Sequence, residues 1–198
     1  MPFILPSQKI SDEIEQQFLY QTPLFKCELD DIDNRALEKE IYSIMHNDFG
    51  IQASNSGGWH SVGCSFDENF LPVVEGIQRI LPQLPFDSNL DLEDINIWAN
   101  VNEPNSWNIP HTHPGAHLSG VYYVKVPRGD CGSIEFDDPR EAMSYGDTWF
   151  VNSYRGATHV REPKEGDMYI FPAGLRHWVH SNKTDQDRIS ISFNLYFK

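Results

Sequence analysis

Three histidines in the second half of the chain have a spacing that suits a metal site. His111 and His113 are two residues apart, and His177 follows after 177 − 113 = 64 residues. Successive side chains of a β-strand point to opposite faces, so residues two apart share a face and can hold one ion together. The separation to His177 is too long for a zinc finger but suits a ligand from a later strand of a β-barrel or jelly roll. Neutral imidazole is a common ligand of iron, zinc, copper and nickel, so the pattern predicts a three-histidine metal site.

Each of these histidines also has an interpretation without a metal. His111 and His113 fit exposed polar residues at the start of a strand, and His177 fits a core histidine beside a tryptophan. The glycine and proline residues around His177 favour the metal site, because Pro172 ends one strand and Gly174 makes the turn before the next. Four further histidines are predicted to be surface or loop residues: His46, His60, His159 and His180.

Short strands predicted after Leu92 would position these side chains. Aromatic and β-branched runs alternate there with turn residues, which is typical of a sandwich, jelly roll or barrel. The predicted strands are 95–102, 113–126, 133–136, 148–151, 158–161, 167–172, 177–180 and 188–197. Trp98, Asn100 and Asn102 share one face of the first strand, and we expect them to line a pocket.

Two amphipathic helices are predicted before these strands. Residues 33–45 have apolar side chains at helical spacing, with Asp33 as the N-cap. Residues 69–81 repeat the pattern, and Pro72 is tolerated in the first turn. We expect both helices to brace the outer face of one sheet. The segment 52–63 between them is rich in serine, glycine and asparagine, which predicts a loop.

The length and pattern of the chain predict one domain over residues 1–198. Residues 1–91 would form a helical N-terminal support region, and residues 92–198 a jelly-roll core. The expected fold class is therefore mostly β with N-terminal helices, a double-stranded β-helix core braced by two or more α-helices.

Composition limits the partners and the compartment. A net charge of −14 with no cluster of basic residues makes nucleic acid a poor partner. Three cysteines without a pattern, Cys27, Cys64 and Cys131, predict free thiols in a reducing compartment. The opening residues lack the features of a signal peptide, and no run approaches the roughly 18 apolar residues of a membrane span. We expect a soluble, cytoplasmic protein that does not contact membranes, and a homo-oligomer is compatible with the sequence.

The order of the motifs resembles the 2-oxoglutarate/Fe(II)-dependent oxygenases that have a double-stranded β-helix core. The segments that carry this resemblance are Ile97-Trp98-Ala99-Asn100-Val101-Asn102, His111-x-His113-Pro114, Leu118-Ser119-Gly120-Val121-Tyr122-Tyr123-Val124, Asp138-Pro139-Arg140, Gly166 to His177, and Arg188 to Asn194. The early Tyr20 to Phe25 is similar to the start of that family, so the resemblance covers nearly the whole chain.

The resemblance implies an enzyme that uses Fe(II), O2 and 2-oxoglutarate to hydroxylate a substrate that the sequence does not identify. His111, His113 and His177 match its metal ligands, and Arg188 matches the arginine that binds the far carboxylate of 2-oxoglutarate. A guanidinium group can pair with a carboxylate through two parallel hydrogen bonds, which lysine cannot do. Ser190 shares the face of Arg188, and strand alternation points Tyr123 into the same cavity, so both are expected at the co-substrate.

One position departs from the family pattern. Iron oxygenases of this kind usually have two histidines and one carboxylate, but His113 stands where aspartate is expected. Either three histidines hold the metal, or a nearby acid supplies the carboxylate; the candidates are Glu103, Asp137 and Asp138. A cupin-like metalloprotein without 2-oxoglutarate is the alternative, in which His117 is a fourth ligand and Arg188 is dispensable.

Overall fold

The computed structural model describes residues 21–63, 68–85, 91–140 and 158–198, which form two antiparallel β-sheets with two helices. The strands are β1 (Phe25–Glu28), β2 (Asn55–Ser56), β3 (Trp59–His60), β4 (Leu92–Asn102), β5 (Trp107–His111), β6 (Leu118–Lys125), β7 (Ile134–Asp137), β8 (Thr158–Arg161), β9 (Asp167–Pro172), β10 (His177–Val179) and β11 (Arg188–Phe197). The larger sheet has the order β1-β9-β6-β11-β4-β3, and the smaller has the order β2-β5-β10-β7-β8. The expected mostly-β jelly roll is confirmed.

Two helices cover the outer face of the larger sheet. Helix α1 (Asn34–Asn47) begins after Asp33, whose side chain accepts hydrogen bonds from the backbone amides of Arg35 and Ala36. Helix α2 (Leu71–Ile80) follows a short 3₁₀ turn and has a proline in its first turn. The predictions of both helices are confirmed, with ends that differ by one or two residues. Their apolar sides form one core with odd-numbered side chains of β4 and β11; this core includes Leu37, Ile41, Val74, Ile77, Ile97, Val101, Ile189 and Ile191.

Strand alternation places polar side chains on the inner face of the same sheet. Strand β11 lies between β4 and β6, with Arg188 opposite Asn102 and Ser190 opposite Asn100. Because odd-numbered residues of β4 and β11 face the helices, the even-numbered residues face the second sheet. A second apolar cluster joins the two sheets and includes Val121, Ile134, Phe136 and Phe171. The space between the sheets is therefore part apolar core and part polar cleft.

Most strands agree with their predictions, and the differences are local. The strands predicted at 158–161, 167–172 and 188–197 have the observed bounds, and that at 148–151 lies outside the described residues. The prediction of one strand over 113–126 is wrong at its start. The chain turns at Pro114-Gly115, where Gly115 has a φ of +92°, and resumes as β6 at Leu118. A left-handed backbone at this glycine interrupts regular pairing.

The N-terminal part of the chain contributes strands that the sequence did not predict. Strand β1 pairs with β9, β2 pairs with β5, and β3 pairs with β4. Segment 52–63 is thus not wholly a loop, because it contains β2 and β3. The division of the chain at residue 91 stays a prediction. Among the described residues, no helix has the length and apolar character that a membrane crossing requires.

Candidate active site

The three histidines predicted to bind metal lie together between the two sheets. One ring nitrogen from each of His111, His113 and His177 lies within 4.8 Å of the other two. His111 ends β5 and is the cross-strand partner of His177 at the start of β10. His113 lies in the turn after β5, where its backbone amide donates to the carbonyl of Ala173. A metal ion can be held by His, Cys, Asp or Glu side chains. Among the described residues, these three histidines are the one group of such side chains that lie close enough together to do so.

The backbone that brings His111 and His113 together differs from the one that we predicted. We predicted that one strand would place His111 and His113 on the same face, but β5 ends at His111. His113 reaches the cluster from the turn that contains Pro114 and Gly115. The convergence of the three rings therefore depends on this turn as well as on the pairing of β5 with β10.

Two of the rings are oriented by hydrogen bonds to backbone carbonyls. His111 Nδ1 lies 2.7 Å from the carbonyl oxygen of Ile109, and His177 Nδ1 lies 2.8 Å from that of Leu175. A carbonyl can only accept, so each Nδ1 carries the proton and each Nε2 keeps its lone pair. This is the tautomer that leaves Nε2 available to a metal ion.

Burial keeps all three imidazoles neutral at pH 7. Desolvation lowers the pKa of His111, and it lowers the pKa of His113 to about 4 and that of His177 to about 3. Repulsion between neighbouring imidazolium charges is the next cause for His113 and His177. A neutral ring is the form that donates a lone pair, so the cluster is ready to bind a metal without first losing protons.

None of the alternative ligands belongs to this cluster. His117 is exposed, and its Nδ1 accepts a hydrogen bond from the Phe197 backbone amide at 3.1 Å. The carboxylate of Asp138 pairs with Arg140 at 2.7 Å, and that of Asp137 lies 3.7 Å from Arg176. Glu103 is exposed. Of the described acids, none joins the three rings, and the cupin-like ligand set is not brought together.

A cleft of about 500 Å³, counting the solvent at its mouth, runs from the histidine cluster to Arg188. Its walls include all six residues that the sequence analysis assigned to metal and co-substrate: His111, His113, His177, Tyr123, Arg188 and Ser190. Trp98, Asn100 and Asn102 line it too, as strand alternation predicted.

Arg188 is a buried cation without an acidic partner among the described residues. Its side chain is 1% exposed, and burial lowers its pKa. Nη1 donates to the carbonyls of Cys131 at 3.0 Å and Gly132 at 2.7 Å, whereas Nε has no hydrogen-bond partner. An unpaired buried charge is costly, and an unpaired buried donor adds to the cost. The environment of Arg188 therefore fits an anionic ligand that enters the cleft.

Tyr123 and Ser190 lie beside this arginine. They are cross-strand partners on β6 and β11, and both are buried. Burial raises the pKa of the Tyr123 hydroxyl, so it stays protonated and can donate a hydrogen bond at neutral pH. Two hydroxyl donors and one guanidinium group are therefore close together at one end of the cleft.

Three polar residues of this region were not predicted to lie there: Ser54, His60 and Asn108. Asn102 Nδ2 donates to Asn108 Oδ1 at 3.2 Å, and Asn108 Nδ2 donates to Ser54 Oγ at 3.1 Å. The prediction of His60 as a surface or loop residue is wrong, because it is 6% exposed and stacks on Trp98. Strand β3 has two residues, too few to show an alternating pattern, so the sequence carried no signal for His60; Ser54 precedes the equally short β2.

One known protein family matches half of the chain. Residues 96–194 match the model of the family described as "Putative 2OG-Fe(II) oxygenase". The chain therefore belongs to the 2OG-Fe(II) oxygenase family, whose members use Fe(II), 2-oxoglutarate and O2. The family expected from the sequence is confirmed. Among curated protein sequences, none matches the chain.

Solved structures of such oxygenases share the fold at low sequence identity. A prolyl-4-hydroxylase from Pseudomonas putida is 14% identical, with a TM-score of 0.60 over 88% of this chain and 92% of that chain. A prolyl hydroxylase from Trichoplax adhaerens, solved with a hypoxia inducible factor peptide fragment, is 10% identical, with a TM-score of 0.63 over 86% and 83%. HygX from Streptomyces hygroscopicus, solved with nickel and 2-oxoglutarate, is 12% identical, with a TM-score of 0.58 over 88% and 83%. At these identities, the likeness supports the jelly-roll fold alone.

Proposed function

We propose that this oxygenase is a hydroxylase in which His111, His113 and His177 hold Fe(II), and Arg188, Tyr123 and Ser190 hold 2-oxoglutarate. The observation that carries the proposal is the pairing of two features in one cleft. Three neutral imidazoles converge at one end, and a buried arginine without an acidic partner among the described residues lies at the other. A ligand with a metal-binding group at one end and a carboxylate at the other would bind at the histidines and at Arg188 together.

The donor set fits iron. Imidazole nitrogen is a ligand that Fe(II) accepts, and burial has already removed the competing protons. Bound there, iron supplies the oxidative chemistry of the family, which consumes O2 and 2-oxoglutarate and releases succinate and CO2. The protein supplies three fixed ligands on two strands and a turn, and a cleft that shields the reacting groups from bulk water.

The residues at the far end suit a carboxylate. Arg188 Nη1 is held by two loop carbonyls, which fix the guanidinium plane and leave Nε free to donate. The Tyr123 and Ser190 hydroxyls add two more donors from the same face of the sheet. Charge-assisted hydrogen bonds from such a group are about twice as strong as neutral ones. A carboxylate would also neutralise the buried cation.

Co-substrate binding by the Arg188→Lys variant tests this assignment. Lysine keeps the charge but loses the planar fork and the Nε donor, so the affinity for 2-oxoglutarate should fall. A hydrogen bond to a charged group contributes roughly 1.5–3 kcal/mol, which corresponds to about a 10- to 150-fold loss of affinity. Isothermal titration of anaerobic, Fe(II)-loaded protein with 2-oxoglutarate measures it. The iron content of the Arg188→Lys variant should equal that of the wild type.

Arg176→Lys is the matched control, because Arg176 is exposed and its only described ion pair is with Asp137. We expect this variant to bind 2-oxoglutarate like the wild type. Wild-type protein that does not bind 2-oxoglutarate, or an Arg188→Lys variant that binds it equally well, would contradict the proposal. The first result, combined with tight metal binding, would indicate a metal site that does not use 2-oxoglutarate.

A further inference from the structure

His113 is held differently from the other two histidines of the cluster. His111 and His177 each donate from Nδ1 to a backbone carbonyl, which fixes the ring and its tautomer. Among the described residues, His113 Nδ1 has no such acceptor; the ring's one hydrogen-bond contact is between its Nε2 and His177 Nε2, at 3.4 Å. Histidines that bind metals almost always have a partner on the second ring nitrogen. Something else must therefore fix the plane of the His113 ring.

Ring contacts supply that constraint. The ring of His113 lies 5.0 Å from that of His111 and 5.2 Å from that of His177, centroid to centroid. Both of these neighbours are proposed ligands themselves. Its third ring contact is Trp98, at 5.7 Å and an interplanar angle of 33°. Among the described aromatic contacts of His113, Trp98 is thus the one that comes from outside the metal cluster.

Trp98 also contacts the ring of His60. The His60 and Trp98 rings are stacked at 5.7 Å with an interplanar angle of 14°, which is within the preferred range for aromatic pairs. Two successive ring contacts therefore link His60, Trp98 and His113, and we call these three rings the His60 row. Trp98 is 8% exposed and His60 is 6% exposed, so the first two rings of the row are packed inside the molecule.

The first ring of the row is itself anchored. His60 is the cross-strand partner of Asn100, and its Nδ1 lies 2.7 Å from the Ser61 carbonyl oxygen. Ser61 is tied to β4 by two hydrogen bonds with Ala99, one from its backbone amide and one to its hydroxyl, both of 3.0 Å. The two-residue strand β3 therefore has a defined position on the edge of the sheet, and His60 can support Trp98.

We propose that Trp98 and His60 are positioning residues for His113, and that ring packing along the His60 row replaces the hydrogen bond that orients the other two ligands. This inference rests on the proposed metal site. It gives a role to His60, which is buried, does not line the cleft and stacks on none of the three candidate ligands among the described ring contacts. His60 stacks instead on Trp98, and Trp98 contacts the candidate ligand His113. Loss of the row should leave His113 free to rotate, so metal binding should weaken while the fold persists.

Metal titration of His60 variants tests the inference. Metal-free protein is titrated with Co(II), and both the dissociation constant and the visible d–d absorption spectrum are recorded. His60→Ala should weaken Co(II) binding about 10-fold, the lower end of the range for groups that support metal ligands, and should change the spectrum. His60→Phe keeps a planar ring, so its Co(II) affinity and its absorption spectrum should be those of the wild type. His60→Leu fills the space without a ring plane and should restore neither.

Trp59→Ala is the matched control, because Trp59 lies on the same short strand and is equally buried but points to the opposite, helix-facing core. It should lower the urea midpoint of unfolding yet leave Co(II) affinity within about twofold. If Trp59→Ala weakens Co(II) binding as much as His60→Ala, the role of His60 is only structural and the inference fails.

A double-mutant cycle with His113→Asp gives a second, independent readout. A carboxylate has no ring for Trp98 to pack against, so His60→Ala should cost no Co(II) affinity in the His113→Asp background. An equal loss in both backgrounds, or wild-type affinity in the single His60→Ala variant, would overturn the inference. Wild-type protein that binds no Co(II) would instead overturn the proposed metal site, so the two failures are distinguishable.

Discussion

A single side chain sets the charge of the candidate metal site. Aspartate at position 113 would contribute one negative charge, whereas the histidine that is present contributes none, because burial lowers its pKa to about 4. The three-histidine site therefore stabilises the positive charge of a bound metal less than a site with a carboxylate does. Because His113 is neutral, the cleft that also contains Arg188 holds one anion fewer than it would with aspartate at this position. An incoming 2-oxoglutarate would therefore meet less repulsion.

Removal of one ring from the cluster should abolish metal binding without unfolding the chain. We expect His111→Ala and His177→Ala to lose more than the roughly 100-fold in affinity that supporting residues can cost, because each removes a ligand atom. Metal content after Fe(II) loading and circular dichroism measure the two effects. His117→Ala is the control, since His117 is exposed and outside the cluster. Unchanged iron content in either cluster variant would contradict the assignment.

At the scale of elements, long strands were predictable and the two-residue strands β2 and β3 were not. Strands β9 and β11 have six and ten residues, enough for a visible pattern, and their predicted bounds are the observed ones. Alternation along β11 was enough to predict that Arg188 and Ser190 share the face that lines the cleft. By contrast, β3 has two residues, and only its pairing with β4 buries His60. A contact between segments distant in the sequence leaves no local pattern to read.

The turn after β5 shows a second limit of sequence reasoning. Parity counted from His113 correctly pointed Tyr123 into the cleft, although the single strand assumed for that count does not exist. The residue count between His113 and β6 happens to preserve the alternation across the turn at Pro114-Gly115. The side chains that line the cleft were thus predicted better than the backbone that carries them. The residue types identify candidate ligands directly, whereas they do not determine where a strand stops and a turn begins.

The loop that holds Arg188 depends on Gly132, which has a φ of +88°. A Cβ atom at this position would overlap the His180 carbonyl oxygen and lie 3.0 Å from Arg188 Nη1. Gly132→Ala should therefore destabilise the protein by more than the roughly 1–2 kcal/mol of left-handed strain alone, and should weaken 2-oxoglutarate binding. Urea unfolding and isothermal titration measure the two effects.

Gly129→Ala is the matched control for this loop. Gly129 has a φ of +104°, but its Cβ would meet only the Thr184 methyl group, at an ordinary 3.5 Å. We expect it to show the backbone strain without the clash and without the loss of 2-oxoglutarate affinity. Equal effects of the two substitutions would mean that the loop does not fix Arg188.

At the scale of the whole molecule, excess negative charge opposes folding. The chain carries 29 acidic and 15 Lys or Arg side chains, a net charge of −14. Like charges repel more in the compact state than in the unfolded chain, and salt screens that repulsion. The Debye length falls from about 30 Å at 0.01 M to about 8 Å at 0.15 M ionic strength. The urea midpoint of the metal-free protein should therefore rise over this range.

Two salts that share an anion, sodium chloride and choline chloride, separate screening from specific cation binding. We expect both to raise the midpoint equally at equal ionic strength. A rise with sodium alone would indicate a bound cation, and a midpoint that falls with both salts would show that attractive ion pairs outweigh the net repulsion.

The position of β11 at the centre of the larger sheet has a consequence for the newly made chain. Its two neighbours, β4 and β6, are synthesised long before it, since 188 − 102 = 86 residues separate the end of β4 from Arg188. At roughly 5–20 residues per second, translation leaves a strand edge of β4 without its partner for about 4 to 17 seconds. Unpaired edges of this kind associate with other chains. Successful production of the enzyme should therefore depend on translation speed and on chaperones that shield the growing sheet until its central strand arrives.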